Sequence, residues 1–196
     1  MEETAGERRR IFCALTFTDE ERELLAGVRD QVMAGLAKGS PSRTENLHLT
    51  LAFLGMLDAE EEERAEAALR AAAAASGPVT ITLGGLGSFG SRRHAGVVWR
   101  GIASSQGLME LEARLVSALK DRDLALEDRP YRPHITLVRG AKARLDEDLD
   151  ALLAKLSSGM EPQEICFTSA SVMWSHHPEG GPLTYTPLAT EALRVS

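Results

Sequence analysis

Apolar positions recur along the chain with two periods, and these set the elements. Residues 11–17 form a near-continuous apolar run of strand length. Thr18 followed by Glu21 is a capping box that opens a helix. Leu24, Leu25, Val28, Val32 and Leu36 recur at helical spacing to residue 37, where Lys38-Gly39-Ser40-Pro41 ends the helix. A strand is expected over 47–54, broken by Gly55. Asp58 caps an acidic, alanine-rich helix that reaches residue 75. Alanine is the best helix former, so this run is helix rather than linker. Glu60 to Glu63 reads as a solvated first turn that complements the helix dipole. Residues 79–83 read as strand and 84–93 as a glycine-rich loop or loosened strand end. A strand over 96–101 precedes a helix over 106–122, with Leu108, Leu111, Leu115 and Leu119 on one side. A strand over 132–139, a helix over 146–157 and strands over 165–174 and 183–188 complete the chain.

The order strand, helix, strand, helix, strand occurs twice. Shifting the first half by 86 residues, the separation of His48 and His134, lays its elements on those of the second. This is the signature of an internal duplication, with approximate halves 10–95 and 96–190. It implies two α+β lobes related by a pseudo-twofold axis, within one domain spanning 1–196, and a cleft lined by equivalent residues from each.

Composition narrows the classes. With 22 Lys+Arg against 29 Asp+Glu, the net charge is −7, which argues against a sequence-blind nucleic-acid coat. It leaves room for recognition of one nucleic-acid end by a few arginines. Two cysteines, Cys13 and Cys166, exclude a disulfide framework, and their apolar surroundings predict buried free thiols. The first ten residues, MEETAGERRR, contain no apolar stretch, and no run is long enough to span a bilayer. The expected location is the cytoplasm, without membrane attachment.

The frame that aligns the elements also aligns two motifs, His48-Leu49-Thr50-Leu51 and His134-Ile135-Thr136-Leu137. With five histidines and twelve threonines in the chain, chance placement gives about 0.3 His-x-Thr pairs. One such pair on a half-buried strand is ordinarily structural. Two at matching repeat positions are not. Alternate strand residues share a face, so His48 with Thr50, and His134 with Thr136, point away from the apolar Leu and Ile positions. Two facing imidazoles can serve as general base and general acid, since imidazole titrates near neutral pH. Two hydroxyls between them can hold anionic oxygens. In-line hydrolysis of a phosphodiester needs these groups and no metal or cofactor.

On these motifs the chain resembles the 2H phosphoesterase superfamily, and within it the RNA 2′,3′-cyclic phosphodiesterase (2′-5′ RNA ligase-like) family. The resembling stretches are RRRIFCALTF, NLHLTLAFLG at 46–55, RPYRPHITLVRG at 129–140 and GGPLTYTPLAT at 180–190. The resemblance implies antiparallel sheets in both lobes around the cleft. It also implies hydrolysis of an RNA 2′,3′-cyclic phosphate end, or a related cyclic nucleotide, to a 2′-phosphomonoester; a monomer is expected. His48 takes the role of general acid and His134 that of general base. Thr50 and Thr136 hold non-bridging oxygens. Arg139 follows the second motif as in the family, but strict alternation places it opposite His134, so it reaches the phosphate only if the strand ends or bulges there, and is otherwise a solvated arginine at a strand end.

Other candidates are weaker. Arg129, Arg132, Lys142 and Arg144 make the second motif locally basic. Tyr131 suits either base stacking or packing on the sheet edge. Phe53 shares the apolar face of Leu49 and Leu51 and is expected in the core. His176 and His177 are adjacent and diverge, which makes a poor chelate; His94 stands alone among arginines and is expected to be exposed. Ser175 carries little weight. Two alternatives are a binding module of the same fold without turnover, and a phosphodiesterase for another small cyclic or 2′-5′ phosphodiester. A metal-dependent hydrolase finds no motif.

Overall fold

A computed structural model describes residues 7–90, 96–103, 105–127, 129–145 and 148–194. In chain order the elements are β1 (Arg9–Thr16), α1 (Asp19–Gly35), β2 (Leu36–Pro41), β3 (His48–Leu57), α2 (Ala59–Ala74), β4 (Val79–Phe89) and β5 (Gly96–Ile102). They continue with α3 (Gln106–Lys120), β6 (His134–Ala143), α4 (Leu149–Ser158), β7 (Gln163–Phe167), β8 (Ser169–His176) and β9 (Thr184–Ala192). The fold is α+β, with two antiparallel sheets of order β3-β1-β8-β9 and β2-β6-β5-β4-β7. Setting β2 aside, the second order repeats the first with β6, β5, β4 and β7 in place of β3, β1, β8 and β9. The sheets exchange strands across the sequence halves: β4 pairs with β5, and β8 returns to pair with β1.

Helices α2 and α3 pack together beside β3, and α1 packs on β2, β6 and α4. Thr18 and Glu21 close the capping box on α1, and Asp58 and Glu61 close one on α2. The small face of α2 (Ala65, Ala68, Ala72) is buried, which lets α3 approach. Leu108, Leu111, Leu115 and Leu119 are buried along α3, in the larger apolar core, to which both sheets contribute. Truncating Leu115 to Ala is expected to cost about 2–5 kcal/mol, read from the urea midpoint at unchanged slope.

Several expectations change. Residues 36–41 form an edge strand rather than a helix end, because β6 offers them a free ladder. Gly55 does not end β3. Its φ of 77° accommodates a bulge and the strand continues to Leu57. Residues 84–89 remain in β4, and Arg92, Arg93 and His94 lie outside the described residues. The run at 165–174 is two strands that part at Thr168 into different sheets. Two members of the acidic turn are not simply solvated: Glu61 pairs with Arg8 at 3.0 Å and Glu62, buried, with Arg9 at 3.3 Å. Cys13 is buried, and burial pushes its thiol up to about 12. Cys166 is exposed on edge strand β7, so only one thiol belongs to the core. Among the described residues no helix is long and apolar enough to cross a membrane.

Candidate active site

Strands β3 and β6 occupy equivalent places in the two sheets and approach one another across the molecule. Each carries its His-x-Thr at its first residues, with the intervening Leu49 or Ile135 fully buried. His48 Nδ1 lies 2.7 Å from the carbonyl of Asn46, and His134 Nδ1 lies 2.7 Å from the carbonyl of Arg132. A carbonyl only accepts, so Nδ1–H donates in both rings and Nε2 is the nitrogen not tied to the main chain. Thr50 Oγ1 sits 3.0 Å from Nε2 of His48. Thr136 occupies the equivalent place on β6, part-exposed.

Both strands then bulge at the same point. On β3 the pairing with β1 jumps from Thr50 to Ala52, and on β6 the pairing with β5 jumps from Thr136 to Val138. Each skipped leucine, Leu51 and Leu137, stays buried along with the residue after it. The alternation is thereby inverted. Arg139 comes to the exposed side that His134 occupies, by a bulge and not by an end of the strand, which continues to Ala143. Its charge, with that of His134, acts on His48. The same inversion overturns the expected place of Phe53. It is 47% exposed, with its ring 6.2 Å from Phe12, rather than in the core. The repeat offset maps Phe53 onto Arg139: one lobe presents an aromatic ring where the other presents a cation.

Each imidazole is braced by aromatic rings. Tyr185 meets His48 edge to face at 5.1 Å and Phe89 meets His134 likewise at 4.9 Å, both at 90°. Phe12 adds a tilted contact of 4.9 Å on His48, and Trp99 lies 6.4 Å from His134. Trp99 rests against Gly87 and Gly101, where a Cβ would strike its ring at 2.3 and 3.1 Å. Asn46, 8% exposed, ties His48 to β9: its Nδ2 donates to the Leu183 carbonyl at 2.7 Å and its Oδ1 accepts from Tyr185 N at 3.3 Å. Sequence reasoning missed these supporting residues. Asn46 and Tyr185 lie inside the stretches 46–55 and 180–190, but local periodicity gives no sign that the two meet.

Burial is the main cause that pushes the His48 imidazole down to about 4, and the charges of Arg139 and His134 act the same way. His48 is therefore neutral at pH 7 in the free protein. A bound phosphate anion opposes those charges. Raising the value from about 4 to 7 takes about 4 kcal/mol, and a unit charge about 4 Å away supplies about that much at an effective dielectric of 20. Inorganic phosphate is thus expected to bind with proton uptake. In NMR titration the His48 ring should titrate near 4 alone and at least one unit higher with phosphate.

The remaining candidates separate from the site. Tyr131 is half-buried against the core and donates its hydroxyl to the Thr50 carbonyl at 3.0 Å, so it braces β3. Arg129 pairs with Glu127, and Arg144 donates to the Ala34 carbonyl. His176 stacks on Trp174 and contacts Thr186, whereas His177 contacts the Gly181 carbonyl, so the two rings diverge. Ser175 pairs with Arg10 and Tyr185 within the sheet. Among the described residues no group of three His, Cys, Asp or Glu side chains is placed to hold a metal ion.

The 2′-5′ RNA ligase superfamily matches residues 16–179. The chain belongs to this superfamily. An Escherichia coli K12 relative named RNA 2′,3′-cyclic phosphodiesterase is 36% identical over 137 residues, covering 69% of this chain and 74% of that protein. A Geobacillus stearothermophilus relative of the same name is 31% identical over 132 residues, 67% of this chain, and the match spans 42% of its length. Among solved structures, E. coli LigT complexed with 3′-AMP is similar at a TM-score of 0.73 and 30% identity, over 95% of this chain and 99% of that one. A Thermus thermophilus protein, TT0787, shares the fold at a TM-score of 0.74 and 24% identity, over 95% and 98% of the two chains. Members of the superfamily thus carry the enzyme name that the two-motif resemblance implies, and the fold it implies is the fold of this chain.

Proposed function

We propose that the chain hydrolyses a terminal RNA 2′,3′-cyclic phosphodiester to a 2′-phosphomonoester without a metal ion. The observation that carries this reading is the matched pair of imidazoles. Each is fixed through Nδ1 by a main-chain carbonyl, which leaves Nε2 as the nitrogen that can exchange a proton, beside the Thr50 hydroxyl in His48, and Arg139 is on the His134 side. The names of the relatives supply the substrate class. In the proposed reaction, His134 Nε2 removes a proton from water as the oxygen attacks phosphorus. The bond from phosphorus to O3′ breaks, and His48, protonated once the anion is seated, gives its Nε2 proton to O3′. Thr50, Thr136 and Arg139 hold the non-bridging oxygens, and the protons balance over the cycle. Protonation of His48 ends its acceptance of the Thr50 hydroxyl at Nε2, which frees that hydroxyl to donate to a phosphate oxygen while Nε2–H faces O3′.

A short RNA ending in a 2′,3′-cyclic phosphate, incubated with the protein in excess EDTA, tests this. Only the 2′-phosphate should form, at the rate seen without chelator. A chelator-sensitive rate, or a 3′-phosphate product, would overturn it. Tight binding of the RNA without turnover would favour the binding-module reading.

A further inference from the structure

The main-chain carbonyls of the two motif threonines are each met by a side-chain hydroxyl from far along the chain. Tyr131 Oη donates to the Thr50 carbonyl at 3.0 Å, and Ser42 Oγ donates to the Thr136 carbonyl at 2.9 Å. Both carbonyls lie where their strands bulge, after Thr50 on β3 and after Thr136 on β6. A bulge interrupts the ladder and leaves an extra residue without a strand partner. A carbonyl inside the protein without a donor is costly, so the bulge needs donors from outside the ladder. On β6 one residue supplies two of them. Ser42 N donates to the Leu137 carbonyl at 2.8 Å while its hydroxyl meets Thr136. Successive carbonyls of a regular strand serve opposite neighbours, whereas these two face the same residue.

The two hydroxyls are exchanged between the motifs. Ser42 stands in the segment that runs into the first motif, and it holds the strand of the second. Tyr131 stands in the segment that runs into the second motif, and it holds the strand of the first. The same segments fix the rings, since Asn46 and Arg132 supply the carbonyls that hold Nδ1 of His48 and His134. Each segment orients its own imidazole and ties down the strand of the other. Helix α1 steadies the first segment: Arg29 Nη1 donates to the Ser42 carbonyl at 2.7 Å and to Thr44 Oγ1 at 3.2 Å. Burial pushes the Tyr131 hydroxyl up, so it remains a donor at neutral pH.

We propose that Ser42 and Tyr131 are positioning residues, a reciprocal pair of hydroxyl clasps that hold the two bulges and so set each histidine strand against the other. Neither touches the substrate. Ser42 acts through the bulge that turns Arg139 to the site, and Tyr131 through the bulge that follows Thr50. The inference rests on the phosphodiesterase reading and adds to it two residues that act only through others.

The test measures kcat and KM on a cyclic-phosphate RNA for wild type, Ser42→Ala, Ser42→Thr and Tyr131→Phe, with rates referred to folded protein by circular dichroism. Ser42→Ala and Tyr131→Phe should each lower kcat about tenfold with KM changed less than about twofold, the order of one internal hydrogen bond lost with its acceptor left bare. Ser42→Thr keeps a hydroxyl and should hold kcat within about threefold of wild type. With Arg139 already replaced by Ala, Ser42→Ala should cost less than about threefold, because the group it positions is gone. Unchanged kcat in Ser42→Ala or in Tyr131→Phe would overturn the proposal. So would a Ser42→Thr variant as slow as Ser42→Ala, or a Ser42→Ala loss undiminished in the Arg139→Ala background. Wild type without turnover would overturn the phosphodiesterase reading and this inference with it, whereas wild-type turnover that survives loss of either hydroxyl would overturn the inference alone.

Discussion

Replacing His134 or His48 by Ala is expected to lower kcat for cyclic phosphate hydrolysis about 10³-fold, with circular dichroism and the urea midpoint little changed. Positioned proton transfer contributes about 10²–10⁴ in rate, so 10³ corresponds to about 4 kcal/mol of barrier. Each imidazole stands part-exposed at the start of its strand, and the core residues beneath it, Leu49 and Ile135, are untouched by the change. The double variant should be little worse than either single one, because in the proposed reaction base and acid act in one transition state and their losses do not multiply. Single-turnover rates with a cyclic-phosphate RNA check both statements. A loss below about tenfold in either variant would remove that histidine from the chemistry.

The second large effect is expected at Arg139. It is exposed, unpaired among the described residues, and turned toward the site by the bulge at Leu137 and Val138. Arg139→Ala should lower kcat/KM about a hundredfold, the order found when one charge-stabilising donor is lost from a reacting oxyanion. Arg139→Lys keeps the charge but loses the planar fork, and should fall between the two. The Ala variant has a further readout. The Arg139 charge is one of the causes holding His48 down, so its removal should raise the His48 titration above its value of about 4. Loss of activity without that movement would mean that Arg139 acts on structure rather than through charge.

Much of this is legible in the chain because its signals are local or repeated. The capping boxes at Thr18 and Asp58, the leucine stripe of α3 and the paired motifs each depend on a few neighbouring residues. The 86-residue offset alone puts the two motifs at equivalent positions of a repeat, from which a shared cleft is expected. What escapes depends on partners far along the chain. Strand β2 exists because β6 has a free edge. The 165–174 run splits because its two parts pair with β4 and β1, in different sheets. The bulges after Thr50 and Thr136 are set by strand register, which a period-2 pattern does not encode. That gap alone misplaces Phe53 and leaves Arg139 conditional. Asn46 and Tyr185 escape for the same reason: the contact between them spans 139 residues.

The acid–base pair is the centre of the account, and its pH dependence tests it most directly. The rate kcat would be measured from pH 4 to 9 for wild type, His134→Ala and His48→Ala, on the same cyclic-phosphate RNA. Wild type should give a bell. The His134 variant, lacking the base, should lose the limb that rises with pH. The His48 variant, lacking the acid, should lose the limb that falls. Both limbs surviving in either variant, or each variant losing the limb assigned to the other, would contradict the account.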